Sequence, residues 1–172
     1  MPHLFSFKVI SYLLFLTVLD VTLCPVLRIH AVYPSLLYLL ICYTAFEWGN
    51  RKTIYVAFWV GLFKDLLGGG PLGLETSILV VMSFALDFVV QKIQREFPGI
   101  YLLITFLFVF LSLMFKMIIA YFLEWLPMVS WEYMEAILFK ALYTTLLLPI
   151  FYFVTERWFG NQSFLKQYEL FR

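Results

Sequence analysis

GLFKDLLGGGPLGLETSILV, residues 61–80, sets the run Gly68-Gly69-Gly70-Pro71-Leu72-Gly73 between two apolar segments and places Lys64, Asp65 and Glu75 among residues suited to hydrocarbon. Glycine tolerates unusual backbone angles and needs no room for a side chain. Such a run can reverse a chain tightly and let the next helix begin at once. A glycine-rich loop also invites a phosphate-binding reading, but this one is not a Walker sequence and no Lys-Ser/Thr pair follows it. The stretch therefore reads as the end of one membrane helix, a turn just outside the bilayer, and the start of the next.

The rest of the chain agrees. Of 172 residues, 63% are hydrophobic and 13% charged, and mean hydropathy is +0.92. A soluble domain carries roughly 25% charged residues. A chain this short exposes much of its surface, so the deficit points to lipid as the solvent. A net charge of +1 excludes the basic patch a nucleic-acid binder requires, and no nucleic-acid partner is expected. Cys24 and Cys42 lack any C-x-x-C or Cys/His spacing and read as small apolar fillers.

Crossing a hydrocarbon core takes about 20 helical residues. Segments 7–24, 32–48, 54–67, 74–90, 100–123 and 136–155 reach or approach that length, the third by extending into its flanks. The first could be mistaken for a secretory signal. Asp20 within it and the lack of an A-x-A-like cleavage site make it a span. Pro25, Pro34, Pro71, Pro98 and Pro127 fall at the breaks, where a missing amide hydrogen costs least. Pro149 lies inside the sixth segment and predicts a kink, with neighbouring helices or Thr145 satisfying the freed carbonyl. The expectation is an all-α integral membrane protein, a single transmembrane domain with a bundle of about six helices.

Orientation follows from the basic residues. Lys8, Arg51, Lys52, Lys92, Arg95, Arg157, Lys166 and Arg172 fall on one side and Arg28 on the other. The positive-inside rule places both termini in the cytoplasm. The outward loop 124–135 is acidic and aromatic. Ser130 is placed to cap the sixth helix, Glu132 and Glu135 to face its positive end, and Trp125 and Trp131 to sit at the interface. Residues 156–172 form a cytoplasmic tail. Phe164, Leu165, Tyr168 and Phe171 share one face there, as in a short interfacial helix, with a disordered tail as the alternative.

Charges inside spans are the informative residues, since each costs roughly 2.5 to 3.5 kcal/mol at a helix centre. Asp20, Lys64, Asp65, Glu75, Lys116 and Lys140 all fall in the outer half, and Asp87 near the cytoplasmic end. Three acids and three bases at one depth predict a neutral, mutually paired network facing the bundle interior. Such a network either holds the helices in register or marks a ligand or ion path. The third segment also carries Ala57, Gly61, Asp65 and Gly68 at spacings of four, four and three. This is a small-residue stripe for close helix approach, either within the bundle or against another membrane protein. No catalytic set is visible, because His3 and His30 are not placed to act on a buried nucleophile. Neither an enzyme nor a cofactor is expected.

The Gly61-to-Val80 stretch resembles the rod shape-determining MreD family: a glycine, an aspartate four residues on, a small-residue outer turn and a G-x-x-x opening the next helix. Length, span number, the early Asp20 and short loops are similar too. The resemblance implies a non-enzymatic inner-membrane component of the bacterial elongation machinery. It would bind the bitopic protein MreC and couple cytoplasmic MreB to the glycosyltransferase RodA and its penicillin-binding transpeptidase, supporting peptidoglycan synthesis and rod shape. The resemblance also implies a fold similar to the substrate-binding S-components of vitamin transporters, and functional roles for Gly61, Asp65 and Gly73. The runner-up is a transporter binding subunit with an outward pocket near Glu75, Lys116 and the loop 124–135.

Overall fold

A computed structural model describes residues 2–22, 26, 32–48, 50–68, 71–92, 98–123 and 131–159. The predicted Ser130 cap, Trp125, most of the outward loop, Gly69, Gly70 and the tail beyond Phe159 lie outside the described residues. Those described form seven α-helices and no sheet: α1 (Pro2–Thr22), α2 (Leu36–Glu47), α3 (Asn50–Gly68), α4 (Leu74–Lys92), α5 (Pro98–Phe122), α6 (Trp131–Leu146) and α7 (Leu148–Phe159).

Two of these, Leu74–Lys92 and Gly99–Phe122, are each long and apolar enough to cross a membrane, and α6 with α7 makes a third if the bent pair is one span. α3 has 19 residues, but Arg51, Lys52, Lys64 and Asp65 keep it out of that class. α2 begins at Leu36 rather than at residue 32. Pro34 disfavours helix at the residue before it, and Ser35 is extended, with φ −123° and ψ 108°. The 12 residues of α2 rise about 18 Å, short of a core about 30 Å thick. Its shortness fits its place. Every other helix packs against α2, and Leu37 through Phe46 are buried without interruption.

From α1 to α6 the helices alternate in direction, and α7 continues α6 past a bend. At one end of the bundle, Asp20 near the end of α1 meets the start of α2, and Lys116 of α5 meets Glu75 at the start of α4. At the other end, Tyr12 of α1 hydrogen-bonds Thr155 of α7 at 2.7 Å, Tyr152 of α7 donates to Glu47 at the end of α2, and the Phe46 ring stands edge-on to Tyr101 of α5.

The sixth predicted segment is two helices, bent by 46° at Leu147. The Thr145 hydroxyl donates to the Ala141 carbonyl at 2.7 Å, not to the carbonyl freed by Pro149. The break is bridged by backbone, with Leu147 N–H donating to Thr144 O at 3.2 Å and Phe151 N–H to Leu147 O at 2.9 Å.

Candidate functional site

The site grows from the corner between α3 and α4. A helix start leaves its first backbone N–H groups without partners, and in lipid no water replaces them. At α4 a carboxylate from the preceding helix supplies the acceptors. Asp65 Oδ2 accepts from Gly73 N–H at 3.0 Å, Thr76 N–H at 3.0 Å and the Thr76 hydroxyl at 2.6 Å, while Oδ1 accepts from Glu75 N–H at 2.9 Å. Its negative charge also lies where the α4 dipole is positive. Asp65 is 4% exposed, and its bond to the Glu75 N–H is buried.

Two glycines make the reach possible. A Cβ on Gly61 would lie 2.4 Å from Thr76 Cα and 2.9 Å from Thr76 N, atoms of a backbone that cannot step aside. Gly73 has φ +92°, a conformation L side chains rarely adopt. It accepts Ser77 N–H at 2.9 Å as α4 begins. Ala57 is fully buried on α3. Gly68 departs from the predicted stripe: it is exposed, and nothing lies within 4 Å of an added Cβ. The packed stripe stops at Asp65, and α4 fills it.

The other charged residues gather at the same end. Asp20 repeats the Asp65 device at α2, taking Leu36 N–H on Oδ1 at 2.7 Å and the Ser35 hydroxyl on Oδ2 at 3.4 Å. Glu75 forms an ion pair with Lys116 and accepts from the Tyr38 hydroxyl at 3.4 Å. Lys64 donates to Ser35 Oγ at 3.3 Å and sits 3.9 Å above the Tyr38 ring. Lys140 lies 4.4 Å above the Tyr33 ring. The charges of Lys64, Lys116 and Lys140 all act on Glu75, and those of Lys64, Lys116, Asp20 and Glu75 all act on Lys140.

The structure thus brings Asp20, Lys64, Asp65, Glu75, Lys116 and Lys140 to one end of the bundle, where Glu75 pairs with Lys116. Asp65 binds the start of α4, and Asp20 reaches the start of α2. The reason is physical: an uncapped N-terminus in lipid competes for a carboxylate as an ammonium does. Nearby, Glu132 lies in the first turn of α6, and Glu135 accepts from the Trp131 indole at 2.9 Å.

Sequence reasoning passed over Thr76, whose hydroxyl and Cα complete the corner, and Tyr33, Ser35 and Tyr38, which carry the lysines. The hydroxyl three residues beyond Gly73 was the available signal, since this is the spacing of a helix start. At the opposite end, where it singled out Asp87, it passed over Glu47, which meets Tyr152, and buried Glu156. Asp87 there is 3% exposed, and its Oδ2 has no hydrogen-bond partner. Among the described residues no group of three or more His, Cys, Asp or Glu side chains could hold a metal ion.

Comparison with curated proteins and with solved structures finds no match. The family model of the rod shape-determining protein MreD matches residues 3–157. That range takes in every residue of the α3–α4 corner and of the lysine cluster. MreD proteins are shape-determining membrane proteins, not a known enzyme family, and the apolar helices α4 and α5 suit that setting. The chain belongs to the rod shape-determining MreD family.

Proposed function

We propose that this chain is a non-enzymatic scaffold of the cell-elongation complex, crossing the inner membrane about six times with both termini in the cytoplasm. In this reading it binds MreC and, with MreB, RodA and a penicillin-binding transpeptidase, supports peptidoglycan synthesis and rod shape. The observation that carries the reading is the use made of the intramembrane carboxylates. Asp20 and Asp65 accept from backbone amides of the chain's own helices, a use of carboxylates in building the bundle.

In this reading a single-span partner docks on the side of α3 turned away from α4. Ala57, Gly61 and Asp65 face inward, and Gly61 lies against α4. The face of α3 left over carries exposed Tyr55 and Phe58. It borders an apolar groove lined by Val9, Leu13, Tyr55, Val56, Trp59 and Phe63 of α1 and α3. An apolar helix fits such a surface by packing alone. Cysteine at Phe58 is expected to cross-link to the MreC transmembrane segment, and cysteine at exposed Val81 of α4 is not. Equal cross-linking at both positions rejects this face.

The second reading, an S-component-like binding subunit, draws on Lys116, which is 46% exposed beside Glu75. Purification in mild detergent separates the two. A stable complex with MreC supports the scaffold, and a co-purifying water-soluble, vitamin-sized ligand without MreC sinks it.

A further inference from the structure

Asp65 and Asp87 stand at opposite ends of the α3–α4 hairpin and are buried alike, 4% and 3% exposed. Their surroundings differ. Asp65 has four donors on its two oxygens, whereas Asp87 Oδ2 has no hydrogen-bond partner. Among the described residues the side chain acting on Asp87 is Thr53 of α3, and no lysine or arginine charge joins it. Thr53 Oγ1 is itself fully buried and has no hydrogen-bond partner. Other buried hydroxyls of the bundle donate to a carbonyl one turn back in their own helix, as Thr17, Ser112, Thr145 and Thr155 do at 2.7 to 2.8 Å. Thr53 is the fourth residue of α3, so no carbonyl of that helix lies four residues before it. Two buried oxygens on neighbouring helices thus lie together without completing a hydrogen bond.

An ionised carboxylate buried in this way is costly until something positive meets it, and orphaned polar atoms in a core mark where a water or an ion belongs. Burial limits the size of the partner. A guanidinium or ammonium group of another chain does not reach an oxygen this enclosed, and a bare ion does. Charge limits it too: one carboxylate balances a monovalent ion, and a divalent ion would leave a net positive charge in hydrocarbon. The donors are hard oxygens, which suit alkali and alkaline-earth ions better than zinc or copper. Asp87 precedes Lys92, the exposed last residue of α4, by a rise of about 7.5 Å. An ion with part of its water shell enters from that end without crossing the hydrocarbon core. We propose that Asp87 and Thr53 bind a monovalent alkali-metal cation, a carboxylate oxygen of α4 and a hydroxyl oxygen of α3 on one ion, with water completing its shell. The ion ties the end of the hairpin that Asp65 does not reach.

The test uses the full chain in mild detergent at fixed pH and ionic strength, with choline chloride exchanged stepwise for sodium or potassium chloride. Thermal unfolding is the readout. Sodium or potassium is expected to raise the melting temperature along a saturating curve. Asp87→Asn keeps the shape and removes the charge, and is expected to abolish that dependence while melting in choline no lower than wild type. Thr53→Val removes one ligand and is expected to raise the half-saturating concentration about tenfold, whereas Thr53→Ser leaves it in place. If Asp87→Asn fails to fold, the comparison of Thr53→Val with Thr53→Ser decides the matter. An equal rise in wild type and Asp87→Asn is a general salt effect and overturns the proposal, as does an unchanged half-saturating concentration in Thr53→Val. Indifference of the wild type to both cations overturns it as well. Stabilisation by acid alone would then assign a proton to Asp87, and stabilisation by magnesium or calcium alone a divalent ion.

Discussion

The α3–α4 corner and the α6–α7 break both interrupt helices, and they do it by different means. At the corner the chain reverses, and the new helix start is satisfied by the Asp65 carboxylate of the helix before it. At the break the chain only bends, by 46°, and backbone bonds from Leu147 to Thr144 and Phe151 to Leu147 carry it across. Where lipid forbids unpaired amides, a bend can be repaired by the backbone alone, and a fresh start calls for a side chain. Substitutions at the corner are therefore expected to cost far more than substitutions at the break.

Gly61→Leu is the hardest test of that ranking. Even its first carbon would meet Thr76 Cα at 2.4 Å, so α3 and α4 must part and carry Asp65 away from its donors. Overpacking typically costs about 1 to 3 kcal/mol, and loss of the cap adds to it. Failure to assemble, or the largest drop in melting temperature of the series, is expected in detergent. Assembly at wild-type yield would show that the corner tolerates separation.

Asp65→Ala comes next. It strands the buried Glu75 N–H and the part-buried N–H groups of Gly73 and Thr76 with the Thr76 hydroxyl, and one unsatisfied buried donor costs about 1 to 3 kcal/mol. A destabilisation of about 3 kcal/mol is expected. Asp65→Asn should recover part of it, since one oxygen remains and only the charge and the second acceptor are lost. The Asn variant separates this account from the ion-pair account. If Asp65 served a lysine, Asn would be as damaging as Ala.

Gly73→Ala isolates the backbone term. Nothing lies within 4 Å of a Cβ there, and the strain comes entirely from φ +92°. The expected cost is about 1 to 2 kcal/mol, read as a shift in thermal unfolding. A neutral outcome would mean that the turn relaxes without disturbing the bonds to Asp65.

How much of this could be read from the sequence divides along the same line. Gly61 and Asp65 stood out because helical spacing places them on one side of α3, which is a local fact. The partner of Asp65 did not, because it depends on where the turn returns the chain. A charge in lipid prompts a search for an opposite charge, and Lys64 next door offered one. The competing acceptor need of α4 has no residue type of its own to announce it. Asp20 was hidden in the same way. The centrality of α2 was illegible for another reason: an outer helix in lipid is also apolar all round, so composition cannot tell centre from rim. Tyr12, Tyr43 and Tyr152, buried at the opposite end, read equally well as interface anchors.

The smallest effect is expected at Pro149, the one feature of the break that the sequence announces. The proline is the second residue of α7, a first-turn position where a missing N–H is tolerated. Pro149→Ala returns a donor to the Thr145 carbonyl, while the side chain it replaces is exposed and fills no core space. The gain of one hydrogen bond and the loss of a conformational restraint are each below about 1.5 kcal/mol and oppose one another. Stability should change by less than about 1 kcal/mol. The bend should relax, because the ring no longer keeps α6 and α7 from joining. Spin labels at exposed Phe139 and Phe153, on either side of Leu147, would report a longer distance in the variant. An unchanged distance would move the cause from the proline to the packing of both helices against α2, and the backbone repair at the break would then be imposed from outside.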